Sequence, residues 1–150
     1  QGEVIVITQN VDDLHVRGGS EVVMHMHGHL KGALCAACDH RWPAPMVMAP
    51  GDHCPLCDAP AARPDIVWFG EMPFHMNKIN QALESCDLFV AIGTSGNVYP
   101  ASGFYQTAKI RRARTVELNL ERTGSGFDEH ITGKASEIVP SYFDSLLTDY

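Results

Sequence analysis

The sequence predicts an α/β protein built on a parallel sheet, and three observations predict it. Val4–Ile7 and Leu88–Ile92 are continuous apolar runs, the composition of strands covered on both faces, as in parallel sheets. These runs alternate with helical patterns and tight breaks, the order of repeated βα units. Between them, residues 29–65 lose periodicity and hold Cys35-x2-Cys38-x15-Cys54-x2-Cys57, the spacing of two zinc knuckles. The predicted fold is a Rossmann-like parallel sheet, incomplete at its start, with a small inserted zinc ribbon. The sheet domain comprises 1–27 and 66–150, and the zinc domain 28–65.

Composition narrows the function. At 150 residues the chain suits one ordinary domain, or one with an insert. Its 45% hydrophobic content supports a real core. No apolar run approaches the roughly 20 residues of a membrane span, and no signal-peptide pattern opens the chain. A net charge of −7 argues against direct nucleic-acid binding through phosphate contacts and is compatible with a cationic partner such as a lysine-rich peptide, though most acidic surfaces are merely solvated. Four of the five cysteines fall in Cys-x-x-Cys pairs, which in a non-secreted chain read as metal ligands before disulfides. The fifth, Cys86, reads as a buried small hydrophobe. A cytoplasmic monomer is the expectation. Gln1-Gly2-Glu3 leads almost at once into a strand, so the chain is expected to be the later part of something longer.

Val4–Ile7 forms the first strand and stops at Thr8-Gln9-Asn10. Residues 11–17 make a short helix closed by Gly18-Gly19. Val22–Met24 is a second extended run, leading to His25-Met26-His27-Gly28. A histidine there can be an acid or base near neutral pH, a ligand or a packed residue. In extended structure His25 and His27 would share a face. The four cysteines fill a zinc coordination sphere without His40 or His53, so the metal is structural and closed to chemistry. Ile66–Phe69 is extended, and Gly70–Pro73 breaks it. Residues 74–85 are helical, with Met76, Ile79 and Leu83 on one face. Leu88–Ile92 is the next strand, then a helix over 101–112 and a strand over 115–120. Ile138-Val139 reads as a short strand, and Pro140 as the opening of a last helix.

Three strand ends finish in small or amide-bearing residues: Thr8-Gln9-Asn10, Gly93-Thr94-Ser95 and Asn119-Leu120-Glu121. The carboxyl edge of a parallel sheet is where open α/β folds bind ligands. Glycine admits a ligand close to the backbone, and hydroxyls suit phosphate or ribose. Asn119 or Glu121 could take ribose hydroxyls.

Taken in order, Thr8-Gln9-Asn10-Val11-Asp12, His27-Gly28, the four cysteines, Val67-Trp68-Phe69-Gly70-Glu71, Gly93-Thr94-Ser95 and Glu117-Leu118-Asn119 resemble the sirtuins, NAD-dependent protein lysine deacylases. The wording of 10–15 and 68–73 most resembles the bacterial and mitochondrial class that removes succinyl, malonyl or acetyl groups. The resemblance implies that His27 is the general base at the nicotinamide ribose. It implies that Gln9, Asn10, Val11 and Asp12 line the nicotinamide and ribose pocket. Gly93, Thr94 and Ser95 would meet phosphate and adenosine ribose, Asn119, Leu120 and Glu121 the adenosine, and Ala135 the adenine. Val67, Phe69 and Gly70 would hold an acyl-lysine peptide as an added strand. NAD would be co-substrate and zinc structural, with the products nicotinamide and O-acyl-ADP-ribose.

The family's glycine-alanine-glycine phosphate loop is expected before residue 1. So are its cofactor-covering loop and the tyrosine and arginine that grip an acyl carboxylate. Two other readings stay open: a non-catalytic zinc-ribbon binding module, and a mono-ADP-ribosyltransferase using the same pocket.

Overall fold

A computed structural model describes residues 2–124 and 126–148. The chain forms two compact units, residues 1–79 and 80–150.

In the first unit, β1 (Ile5–Thr8) pairs in parallel with β2 (Val22–His25), Ile5 opposite Val22 and Thr8 opposite His25. The short helix α1 (Leu14–Arg17) connects them. Then β3 (Gly28–Cys35), β4 (Arg41–Pro43) and β5 (Ala62–Ile66) make an antiparallel sheet in the order β4-β3-β5. Residues 44–61 contain no helix or strand. Gly28 starts β3 with φ +75, and a Cβ there would lie 2.0 Å from the Asp65 carbonyl oxygen. Only glycine permits β3 and β5 to approach so closely beside His27. The Arg41 Nε donates to both Asp65 carboxylate oxygens, at 3.1 and 3.3 Å, and ties β4 to β5.

Helix α2 (Met76–Ser85) leads into the second unit. There β6 (Leu88–Ile92), β7 (Arg114–Asn119) and β8 (Glu129–Thr132) form a parallel sheet in that order. A single 3-10 turn, Ala101–Gly103, runs into α3 (Phe104–Ile110), and α4 (Ala135–Thr148) closes the chain. Val116, Leu118 and Tyr142 form a buried core cluster, with Leu88, Val90, Ile131, Ile138, Val139 and Leu146 against them.

The α/β class with parallel strands and a cysteine-bearing insert is as the sequence predicts. The parallel strands fall into two sheets, one in each unit. Ile138-Val139 is not a strand, and Pro140 lies inside α4. Ile138, Tyr142 and Leu146 recur at helical spacing and pack on β7, which keeps the helix going although Pro140 lacks a donor. The last strand is instead Glu129–Thr132, where only Ile131 is apolar. Pairing with β7 makes it a strand. The extended segment expected at 66–69 lies earlier, at 62–66, and Cys86 is half-buried. Among the described residues no helix is long and apolar enough to cross a membrane.

Candidate active site and metal centre

The four cysteines converge. Their Sγ atoms all lie within 4.8 Å of one another, with Cys35–Cys57 at 3.7 Å and Cys38–Cys54 at 3.8 Å. A tetrahedron with Zn–S bonds of about 2.3 Å has S–S edges of about 3.8 Å, so the thiols fit zinc. Two knuckles of matching design position them. The Asp39 N–H returns to the Cys35 carbonyl at 2.9 Å, and the Asp58 N–H to the Cys54 carbonyl at 3.0 Å. Both aspartates have φ 58. Within each knuckle a backbone N–H two residues on reaches sulfur at 3.4 Å, Ala37 to Cys35 and Leu56 to Cys54.

The crowding separates the thiols' acidities. The Cys38 thiol is pushed up to about 12, since a lowering backbone hydrogen bond at His40 is outweighed by hydrogen bonds to the other thiols and by burial. Cys54 falls to about 7, because backbone N–H groups and neighbouring thiols outweigh burial. Four adjacent sulfurs cannot all ionise unaided, and a dication resolves the conflict. His40 stacks on Trp42 at 5.5 Å, and the His53 Nδ1 meets Asp58 at 3.0 Å. Both histidines are engaged away from the thiols, so the donor set is four sulfurs with no open position.

His27 follows the carboxyl edge of the β1–β2 sheet. Its Nδ1 lies 3.1 Å from the Gln9 carbonyl oxygen. A carbonyl only accepts, so Nδ1 carries a proton, and in the neutral ring Nε2 then holds the lone pair. The surrounding backbone is fixed by Met26 N–H to the Thr8 carbonyl (3.1 Å), Phe74 N–H to the Met26 carbonyl (2.8 Å) and Val67 N–H to the His27 carbonyl (3.0 Å). The strand ends at His25, and residues 26 and 27 form a turn, so the two histidines do not share a strand face as expected. His25 sits edge-on to His29 at 5.8 Å. Its buried Nδ1 has no protein partner among the described residues.

Gln9, Asn10, Val11 and Asp12 form the loop beside His27. Asn10 N–H bonds the Thr8 hydroxyl at 3.0 Å, Leu30 N–H the Val11 carbonyl at 2.9 Å, and Leu14 N–H the Asp12 carboxylate at 3.0 Å. Asp12 thus caps the approach to α1. On the other side of His27 the turn Trp68–Glu71 closes on itself. Glu71 accepts the Trp68 N–H at 3.0 Å and Arg63 at 2.9 Å. The Trp68 N–H, foremost, and then Arg63 hold its carboxyl below the usual range despite desolvation. The turn starts at half-buried Val67 and presents Phe69 fully to solvent, with Gly70 at φ +91.

In the second unit the parallel strands bring Gly93, Leu120 and Gly133 to one edge. Gly93 N–H bonds the Leu118 carbonyl at 3.0 Å, and Gly133 N–H the Asn119 carbonyl at 3.0 Å. The Asn119 side chain donates to the Thr94 carbonyl at 2.6 Å and accepts from Leu120 N–H at 2.9 Å. Asn119 therefore links all three strand ends. Ser95, Leu120, Glu121 and Ala135 are exposed along this edge, with half-buried Thr94 among them. Nothing stands within 4 Å of a Cβ built on Gly93, at φ +60.

Residues 1–100 match the profile of the Sir2 family. The chain belongs to the Sir2 family. An NAD-dependent protein deacylase of Vibrio cholerae is 50% identical over 150 residues, covering 98% of this chain and 61% of the relative. A crystal structure of a Sir2 homologue–NAD complex superimposes with a TM-score of 0.88 at 32% identity, over 97% of this chain and 59% of that one. A Sir2–p53 peptide–NAD complex gives 0.84 at 25%, over 95% and 62%. The chain spans about three fifths of the length of the curated relatives it matches.

Glu117 entered the sequence reading only within the Glu117-Leu118-Asn119 motif, with no role given to its side chain. Buried Glu117, 1% exposed, bonds His130 at 2.6 Å and Thr123. The signal was present as Thr115, Glu117 and Asn119, polar at every second position and alternating with apolar Val116 and Leu118.

Proposed function

We propose that this protein takes part in NAD-dependent removal of acyl groups from protein lysines, with His27 as general base. The observation that carries the reading is the His27 Nδ1–Gln9 carbonyl hydrogen bond of 3.1 Å. It leaves Nε2 free to take a proton from a ribose hydroxyl. The acyl oxygen attacks the ribose carbon as nicotinamide departs. After proton transfer through His27 and addition of water, the acyl group remains on ADP-ribose and the lysine amine is freed. Gln9, Asn10, Val11 and Asp12 are assigned to the nicotinamide ribose. Gly93, Thr94, Ser95, Asn119, Leu120, Glu121 and Ala135 are assigned to the adenosine and phosphate side. The peptide lies extended on Val67, Phe69 and Gly70 as an added strand, with Phe69 and Gly70 exposed to it. Acetyl, malonyl and succinyl groups are the substrate range.

Residues 28–65 are the zinc-binding domain in this reading, and 1–27 with 66–150 the NAD-binding one. The zinc chemistry is structural, and Cys35, Cys38, Cys54 and Cys57 hold it. A cytoplasmic location suits four thiols kept reduced. The name of the Vibrio cholerae relative and the NAD and peptide ligands of the Sir2 neighbours support the assignment.

The test fuses this chain to the part of the Vibrio relative that the match leaves uncovered. Nicotinamide release from NAD is then followed with acetyl-, malonyl- and succinyl-lysine peptides. Acyl-dependent release that is lost with His27→Ala is expected. A folded fusion that binds NAD and zinc but transfers no acyl group would overturn the reading, and radiolabel retained on protein would favour ADP-ribosyl transfer.

A further inference from the structure

Strand β7 carries a polar face where a sheet interior calls for apolar side chains. Thr115, Glu117 and Asn119 alternate with Val116 and Leu118 and so share one side. Thr115 is 0% exposed and Glu117 1%. A buried carboxylate is unfavourable unless hydrogen bonds replace its water. Here the polar groups of the face bond the connection from β7 to β8, the start of β8 and the loop after β6. The Asp128 carboxylate accepts the Thr115 N–H at 3.0 Å and its hydroxyl at 2.8 Å. Glu117 accepts the Thr123 hydroxyl, the Thr123 N–H at 3.4 Å and the His130 Nδ1 at 2.6 Å. Asn119 accepts the Leu120 N–H at 2.9 Å and donates to the Thr94 carbonyl at 2.6 Å. Burial would raise the Glu117 carboxyl, but the Thr123 and His130 hydrogen bonds hold it below the usual range. It is a fixed anion at neutral pH.

An apolar residue at 117 would serve the core. The charge serves the turn over 120–123, whose exposed residues Leu120 and Glu121 precede Thr123. We propose that Glu117 is a positioning residue for the adenosine half of NAD: by anchoring Thr123 it presets the turn that offers Leu120 and Glu121 to the ribose. The inference rests on the NAD assignment above. Its logic is preorganisation, since a turn already held in its bound shape loses less freedom when the ligand arrives.

The test is an ADP-ribose titration by NMR of the isotope-labelled fusion protein used above, with Glu117→Gln, Thr123→Val and Thr123→Ser. Amide exchange is read at Leu120 and Thr123 and at the core positions Val116 and Leu118. Glu117→Gln and Thr123→Val should each weaken ADP-ribose binding about 10-fold, the scale of one lost hydrogen bond to a charge. Exchange at Leu120 and Thr123 should rise while Val116 and Leu118 stay protected. Thr123→Ser keeps the hydroxyl and should bind like the parent. If Glu117→Gln does not fold, Thr123→Val against Thr123→Ser decides the matter. Variants that loosen the turn yet bind ADP-ribose like the parent would overturn the positioning role, as would failure of Thr123→Ser to restore binding. A folded parent fusion that shows no ADP-ribose response would overturn the NAD assignment of these loops, and this inference with it.

Discussion

Replacing Cys54 by serine should unfold the knuckle end of the insert. Between residues 28 and 65 the buried apolar side chains are Ala33, Leu34, Cys35 and Cys54, and two of these are metal ligands. Fully burying a leucine contributes about 1.5–3 kcal/mol and an alanine methyl about 0.8, so Ala33 and Leu34 supply roughly 3. A structural zinc contributes about 10–16 kcal/mol in small sites. Losing a third of that, about 4 kcal/mol, already exceeds what the two side chains provide. Residues 44–61, with no strand or helix, have little else to hold them. The assay pairs elemental analysis with amide exchange at Asp39 and Asp58, whose N–H groups close the knuckles. Trp42 emission, read in a Trp68→Phe background, reports the adjoining strand. Protected Asp39 and Asp58 amides in Cys54→Ser would refute the reasoning. Fresh parent protein that lacks zinc, with all four thiols freely reactive, would refute it more directly.

In the fusion enzyme His27→Ala should lower turnover roughly 100-fold or more, the scale of a positioned base, whereas His25→Ala should act mainly on thermal stability; kcat and Tm measured together separate them, and a reversed ranking would move the base. Asp128 is held at about 2, first by Lys109 and then by Thr115, against about 3.9 when unfolded. Its contribution is therefore complete above about pH 4 and is lost as pH falls through the folded value. The gap in urea midpoint between the parent and Asp128→Asn should narrow from pH 5 to pH 2, and a gap independent of pH would show that Asp128 is not the anion described.

Legibility in the sequence followed the range of the interactions. The zinc site depends on two four-residue knuckles, so its spacing is written locally. Val4–Ile7 and Leu88–Ile92 are apolar throughout, and both are strands within a residue. Strand β8 is invisible locally, because Glu129-His130-Ile131-Thr132 becomes a strand through pairing with β7 and the buried Glu117–His130 contact. Ile138-Val139 misled because β-branched pairs favour strands, while the stripe that continues to Tyr142 and Leu146 is helical. His27 stood out by type and place. Its tautomer did not, since the Gln9 carbonyl reaches it from 18 residues away.

Strand β3 begins beside His27 and ends in a metal ligand, Cys35, yet its pairing with β5 is interrupted. Gly28 lies opposite Ile66, and the register shifts before Ala33 meets Pro64. The break divides the insert into a wrist and a hand. The wrist is locked at Gly28–Ile66 and by Val67 on the His27 carbonyl, and it meets the hand through Arg63, which donates to the Ile66 carbonyl at 3.3 Å. Changes of length or sequence in the hand, above all in exposed 46–47, need not alter the wrist's register. Substitutions on the outer surface of the insert should therefore leave the backbone that carries His27 in place, as exposed loop tips generally tolerate change.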